Sequence, residues 1–303
     1  MTAIPVKRKA KRRDIVFPIC NTIILILLMA ITLYPVLNTV AISFNHSLDA
    51  LKGGIGIWPR VFSTDSYVEI LQDPATYQAF WISLSKTVII TFLNLFFTSM
   101  LSYALSRKEY VLRRFITIVL VMTMYVNAGL IPNYLLIARF LGLRSTYWVY
   151  IIPTMFSCFN MIVIRTYIGG LPDALVESAR IDGAGDIRCF FQIILPLCTP
   201  VLATVALFVA VGSWNSWFDT YLYNGSKKEL YSLQYLLRIK LATTQASSNA
   251  ANSTADALAQ TLKVAPVTVR AAITVVSTVP ILVVYPFLQR YFVTGMALGS
   301  VKG

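Results

Sequence analysis

The sequence predicts an all-α integral membrane protein with six spanning helices. Three observations carry that reading. Of 303 residues, 57% are hydrophobic and only 13% are charged, where soluble domains carry about 25% charged residues. Six stretches reach the roughly 20 apolar residues that a helix needs to cross a hydrocarbon core about 30 Å thick. They are Ile15–Ile42, Trp81–Leu105, Leu112–Ala138, Tyr147–Ile168, Leu197–Leu222 and Val267–Gln289. None alternates apolar and polar residues as the spans of about 10 residues in a membrane barrel would.

The chain opens on a basic tail, residues 1–14, in which Lys7, Arg8, Lys9, Lys11, Arg12 and Arg13 precede the first span at 15–42. That apolar run outlasts the roughly 7–15 residues of a signal peptide and has no A-x-A cleavage site, so it reads as an uncleaved span. A mixed loop at 43–80 follows, with turns marked by Gly53–Gly54 and Trp58–Pro59. Residues 81–290 hold the second to sixth spans as one core. Arg107, Lys108, Arg113 and Arg114 fill the turn between spans two and three. Because cytoplasmic loops are enriched in Lys and Arg, the tail and this turn are predicted to be cytoplasmic. The 169–196 segment and the tail at 291–303 then fall on the same side, with loops 43–80 and 223–266 outside. Lys227, Lys228, Arg238, Lys240 and Lys263 in the last loop run against this trend, but long loops cross largely regardless of charge. Within it, 242–262 is biased toward Ala, Ser, Thr and Asn. This tract reads either as a tolerated insertion or as a flexible element that meets an outside partner. Pro35, Pro132, Pro153, Pro200, Pro280 and Pro286 fall within spans and predict kinks around a cavity.

Several chemistries are disfavoured. The net charge of +13 sits beside the spans, not in a nucleic-acid-binding patch. Cys20, Cys158, Cys189 and Cys198 lack zinc-ligand spacing, and His46 is the single histidine. No catalytic cluster and no metal site is expected. With no G-x-x-x-x-G-K-[ST] motif, the chain does not bind ATP through a P-loop of its own.

One compact charged segment, "ESARIDGAGDIRCFFQIILP" at 177–196, interrupts the apolar pattern between spans four and five. Pro172 suits a first helical turn and Asp173 complements the dipole there. Gly183 then ends the helix in the left-handed conformation. Asp186 is placed to cap a second short helix whose Ile187, Phe190, Phe191 and Ile194 give apolar contacts, until Pro196 stops it. The prediction is two short helices at an angle on a glycine hinge. The first would present Leu175, Ser178 and Ala179 with the charged Glu177 and Arg180 to a partner.

Here the residues resemble a known family. Glu177-Ser178-Ala179, three residues, Gly183, nine residues, then Ile193-x-Leu195-Pro196 is similar to the EAA loop of ATP-binding-cassette importer permeases. Ser178 replaces the usual Ala. "WNSWFD" at 214–219 and "LQRYFVTGMALGSVKG" at 288–303 resemble carbohydrate-importer permeases of the maltose permease G type, nearest their oligosaccharide and polysaccharide branch. The resemblance covers roughly 80–303. It implies a type I importer permease, half of a translocation pathway in the cell membrane, and not an enzyme. By it Glu177, Ser178, Ala179, Arg180, Asp182, Gly183, Ile193, Leu195 and Pro196 couple the chain to a cytoplasmic ATPase. It also implies a second, related six-span permease, two ATPase subunits that bind the ATP and Mg, an external solute-binding protein, and a carbohydrate substrate.

Polar groups within spans are costly and often line cavities, so Asn94, Asn127, Asn160, Trp214, Asn215 and Trp217 are candidates for the substrate pathway. Trp214 and Trp217, three apart, would share one helix face. The bland alternative is that the amides join helices and the indoles pack. Two other classes remain in competition. A secondary carrier or channel for a small polar solute would usually show ionisable groups at mid-span, where no carboxylate is expected. A membrane-embedded enzyme would need a catalytic His, Cys or carboxylate cluster, which the sequence lacks.

Overall fold

The computed structural model describes residues 12–126, 128–251 and 266–300 of the chain. Among these, every regular element is helical, apart from one isolated antiparallel bridge between Asn45 and Phe62. In chain order the helices are α1 (Arg12–Ser43), α2 (Ser47–Ala50), α3 (Asp65–Gln72), α4 (Pro74–Ser106), α5 (Arg113–Tyr125), α6 (Leu130–Leu135) and α7 (Trp148–Ile151). There follow α8 (Cys158–Ile168), α9 (Ala174–Ile181), α10 (Asp186–Cys189), α11 (Leu195–Leu197), α12 (Thr199–Asn215), α13 (Leu233–Ala251) and α14 (Pro266–Ser300). The described residues form two compact units, within Met1–Ile70 with Thr244–Val275 and within Leu71–Thr243 with Val276–Gly303.

Among the described residues, Phe17–Ser43, Pro74–Ser106 and Val267–Pro286 are each long and apolar enough to cross a membrane. The count reaches six when three broken pairs are each taken as one span. The third stretch divides into Arg113–Tyr125 and Leu130–Phe140. The fourth divides into Trp148–Thr154 and Cys158–Ile168, bent by 46° with Pro153 in the first arm's last turn. The fifth differs most from the sequence reading of Leu197–Leu222. Its helix stops at Asn215, and its other arm is Asp186–Leu197, met at 78°. Pro132 and Pro200 stand in the first turns of α6 and α12, where a missing N–H costs nothing, and do not kink a continuous span. The last helix runs beyond residue 289 to Ser300, so the tail read at 291–303 is helical through that residue. The 242–262 tract is helical through Ala251, and 252–262 lie outside the described residues.

In the first unit, α1 is exposed along 17–37, as expected of an apolar helix that meets lipid or another chain. The following loop is ordered by Asn45. Its amide oxygen accepts from the N–H groups of Arg60 (2.8 Å) and Val61 (3.0 Å), and its amide nitrogen donates to Asp49 (3.0 Å). Arg60 completes the knot with bonds to Asp49 (3.0 Å) and the Gly53 carbonyl (2.8 Å). Gly53 and Gly54 turn the chain at φ +70° and +67°, a region open to glycine.

In the second unit, α4 is the central element and packs against α8 and α12. Its 33 residues make it roughly 50 Å long at 1.5 Å per residue. Asp73 caps it, accepting from Ala75 N at 3.0 Å, and also binds Lys240 at 2.6 Å. Thr76, Ala79, Ser83, Lys86, Ile90, Asn94, Thr98 and Ser102 recur at helical spacing and are all buried, while Trp81, Val88, Phe92 and Met100 are exposed. The pattern is inverted relative to a soluble helix. Small and hydroxyl residues let backbones approach and bond across helices, and the apolar face is left for lipid. Ser102, for example, donates to the Met161 carbonyl of α8 at 3.0 Å.

Lys86 is the costliest residue on this face. Its ammonium is fully buried, with Asp219 Oδ2 and the Ser216 carbonyl each 3.2 Å away and the Tyr150 ring centroid at 4.8 Å. Breaking a buried pair by removing one partner leaves an uncompensated charge. Asp219→Asn should therefore lower stability by about 3 kcal/mol. Lys86→Met combined with Asp219→Asn should recover most of that loss. Thermal melting of the purified protein checks both; equal melting of single and double variants would refute the pairing.

Candidate functional site

The segment between α8 and α12 folds as two short helices on a glycine turn. Helix α9 buries Val176 and Ala179 and exposes Leu175, Glu177, Ser178 and Ile181. After Asp182, Gly183 takes φ +83°; its N–H donates to the Arg180 carbonyl (3.0 Å) and that of Ala184 to the Ala179 carbonyl (2.9 Å). These two bonds are the Schellman closure, which satisfies the last carbonyls of a helix through a left-handed residue. No atom lies within 4 Å of where a Cβ on Gly183 would stand, so only backbone conformation selects glycine there.

Several details differ from the sequence reading. Ala179 faces inward, so it belongs to the core and not to a partner-facing surface. The N-cap of α10 is Gly185, and Asp186 is its first residue. Ile187 is exposed, while Phe190 and Ile194 are buried. Pro196 does not stop the second helix. A π-turn at Phe190–Ile194 continues through α11, and the chain breaks at Cys198. Ile193 and Leu195 pack on the core and Pro196 is exposed.

That core joins Val176, Ala179, Cys189, Phe190 and Ile194 of the segment to Tyr103 of α4, Ile164 and Ile168 of α8, and Val201 and Val205 of α12. The segment is thus seated on the spans by its inner face. Ion pairs fasten its rim to the turn between α4 and α5. Arg180 donates to both oxygens of Glu109 (2.7 and 3.2 Å) and to Asp186 (2.9 Å). Lys108 binds Asp173 at 2.9 Å. The hydrogen bond from Arg180 lowers the Glu109 pKa, that from Lys108 lowers the Asp173 pKa, and the Glu109 and Asp186 acceptors raise that of Arg180. Arg180 is therefore engaged within the chain. Glu177, Ser178 and Asp182 of the predicted set on α9 and its cap are exposed, as Arg180 is.

The pathway candidates separate. Asn94 and Asn160 come together: Asn160 Nδ2 donates to Asn94 Oδ1 (3.2 Å), and Asn94 Nδ2 donates to the Thr154 carbonyl (2.9 Å). Both line a cavity of about 410 Å³ with Tyr150, Ser157, Ser213 and Asp219. Asn127 lies outside the described residues. Trp214 is buried, donates from Nε1 to the Ser277 carbonyl at 3.0 Å and meets Phe80 edge to face. Trp217 lies under the Arg238 guanidinium, 3.7 Å from its ring centroid. The shared helix face does not exist, because α12 ends at Asn215 and Ser216 is extended. Neither tryptophan lines the cavity; Asn215 is exposed and 3.5 Å from Gln234.

Sequence reasoning missed Lys86 and Asp219. The signal was present as one cation and one anion of opposite sign inside apolar stretches 81–105 and 197–222. Asp219 lies beyond the end of α12, where it accepts from Thr220 N at 2.8 Å and keeps a quarter of its side chain exposed at the cavity. The arrangement supplies amides and hydroxyls from the helices and one carboxylate from the chain just beyond α12 as hydrogen-bonding groups at the cavity.

Comparison with known proteins agrees with this architecture. The profile of the family described as "Binding-protein-dependent transport system inner membrane component" matches residues 95–298. Protein LplC of Bacillus subtilis (strain 168) is 37% identical, with 95% of each chain covered. The polygalacturonan/rhamnogalacturonan transport system permease protein YtcP of the same organism is 36% identical over 92% of this chain and 96% of its own length. A chain from a bacterial ABC transporter involved in the import of the acidic polysaccharide alginate superposes with a TM-score of 0.83 at 28% identity, covering 94% of this chain and all of that one. The protein thus belongs to the binding-protein-dependent transport system inner membrane components, the membrane-spanning permease subunits of ABC importers.

Proposed function

We propose that this permease subunit carries a carbohydrate, an oligosaccharide or polysaccharide fragment, through a pathway that it forms with a second, homologous permease. Two cytoplasmic ATPase subunits bind the ATP and Mg and supply the energy, and an external solute-binding protein delivers the sugar. The named substrates of relatives such as YtcP support the substrate class. The cavity at Asn94, Asn160, Ser213 and Asp219 suits it, since amides, hydroxyls and a carboxylate pair with sugar hydroxyls. Purification of the complete importer, with identification of its copurifying chains, tests this composition. Recovery as a homodimer without an ATPase would refute it.

One observation carries the coupling assignment. The 177–196 segment has an inner face seated on three spans and an outer face, with Glu177 and Ser178, left exposed. A body held in this way transmits a push from a docked ATPase directly to α4, α8 and α12. Glu177 meets a basic group of the ATPase, and Gly183 sets the angle between the two helices.

Three outcomes follow. Gly183→Val places a β-branched residue at positive φ, at a cost of about 1–2 kcal/mol. Transport per assembled complex should fall severalfold, while Gly183→Asn, which tolerates that region, should stay near the parent. Equal transport in both variants would show that the turn is not used. Glu177→Lys should weaken copurification of the ATPase through like-charge repulsion, with the permease pair still assembled; undiminished copurification would count against the docking role. The basic turns put the N-terminus, the 106–114 turn, the 165–196 segment and the C-terminus in the cytoplasm. A single cysteine at position 186 in a cysteine-free background should therefore resist an impermeant thiol reagent in intact cells, and ready labelling would invert the topology.

A further inference from the structure

A second cavity, of about 490 Å³, lies away from the sugar-facing one and is lined by Arg113, Arg114, Thr117, Ile118 and Arg165. Three guanidinium groups share it. Among the described residues, no carboxylate forms an ion pair with any of them, although Lys108 in the same turn and Arg180, which meets Glu109 there, each have one. One fork is fixed in place: Arg165 Nη1 donates to Thr117 Oγ1 at 2.8 Å, and Thr117 donates in turn to the Arg113 carbonyl at 2.6 Å. Like charges held together at the edge of a low-dielectric region repel, so the cluster calls for an anion. Guanidinium forks match the oxygens of a phosphate in pairs.

The surroundings decide which phosphate. Arg113 and Arg114 open α5, and the stripe that continues from Arg114 at four-residue spacing is Ile118 and then Met122, with Phe115 beside it. All three apolar residues are exposed, Phe115 at 67% and Met122 at 61%. A charged pocket at the start of a span, continued by an exposed apolar track, has the polarity of a phospholipid. A free phosphate or a soluble phosphoester would have no use for the track.

The geometry points to a binding site for one anionic phospholipid, its phosphate among Arg113, Arg114 and Arg165 and its acyl chain along Ile118 and Met122. The assignment stands independently of the sugar and of the ATPase docking. Basic pockets between helices at the membrane boundary are a known physical route to headgroup recognition.

The test uses the complete importer, purified with its partner chains and exchanged from mixed phosphatidylglycerol and phosphatidylcholine into detergent for native mass spectrometry. The parent should retain phosphatidylglycerol in preference to phosphatidylcholine. Arg114→Gln, an exposed position with no structural bond, should lower that retention roughly fivefold, and Arg165→Gln should do the same if the complex still assembles. Arg188→Gln, an exposed arginine outside the cavity, should leave retention unchanged. Equal retention of the two lipids, or undiminished retention in Arg114→Gln, would overturn the site. Displacement of phosphatidylglycerol by millimolar inorganic phosphate would overturn the lipid assignment in favour of a soluble phosphate ligand.

Discussion

The buried ammonium of Lys86 constrains much of the second unit. A charge within the membrane-spanning region persists only where it is paired and where its remaining donors find acceptors. The acceptors come from the stretch after α12, which must leave helical geometry to supply the Ser216 carbonyl and then bring Asp219 back toward α4. Bonds around this break form a continuous set. Ser232 donates to the Ser216 carbonyl, Thr220 to Ser232, and Tyr150 to the Leu230 carbonyl, with its ring against the Lys86 ammonium. The departure from helical geometry after Asn215 therefore serves the lysine on α4, and the cavity beside it is lined by the partly exposed Asp219 carboxylate.

The rest of α4 follows the same rule at lower cost. Interhelical hydrogen bonds within membranes are worth only about 0.6 kcal/mol each on average, so no single bond among Asn94, Asn160 and Ser102 holds the helices together. Close packing of small residues does that. The hydrogen bonds select the register in which α8 and α12 lie on α4, because any other register leaves an amide or hydroxyl unsatisfied in a place without water. Asn94 and Asn160 join helices and also line the cavity.

The 177–196 segment has two contrasting faces. Its inner face shares a core with three spans, and surface ion pairs of Lys108 and Arg180 hold its rim to the preceding turn. Exposed pairs of this kind contribute little to stability. Their use is orientation, since bidentate contact between Arg180 and Glu109 fixes direction as well as distance. One face is seated on the spans and the opposite face is left exposed.

The sequence by itself determined the class of the protein and the local form of its charged 177–196 segment, because both rest on local chemistry. Apolar runs of sufficient length specify spans, and Gly183 followed by Ala184 after an amphipathic octet specifies a Schellman turn without reference to any distant residue. Local pattern also led to errors. Trp214 and Trp217 looked like one face because helical spacing was assumed to continue past Asn215. Ala179 looked partner-facing because nothing nearby in sequence reveals the core beneath it. Tertiary structure alone decided these points, and alone brought Lys86 to Asp219 across more than a hundred residues. Pairing of that kind depends on which helices pack together, and a hydropathy pattern carries no information about which neighbour a helix will choose.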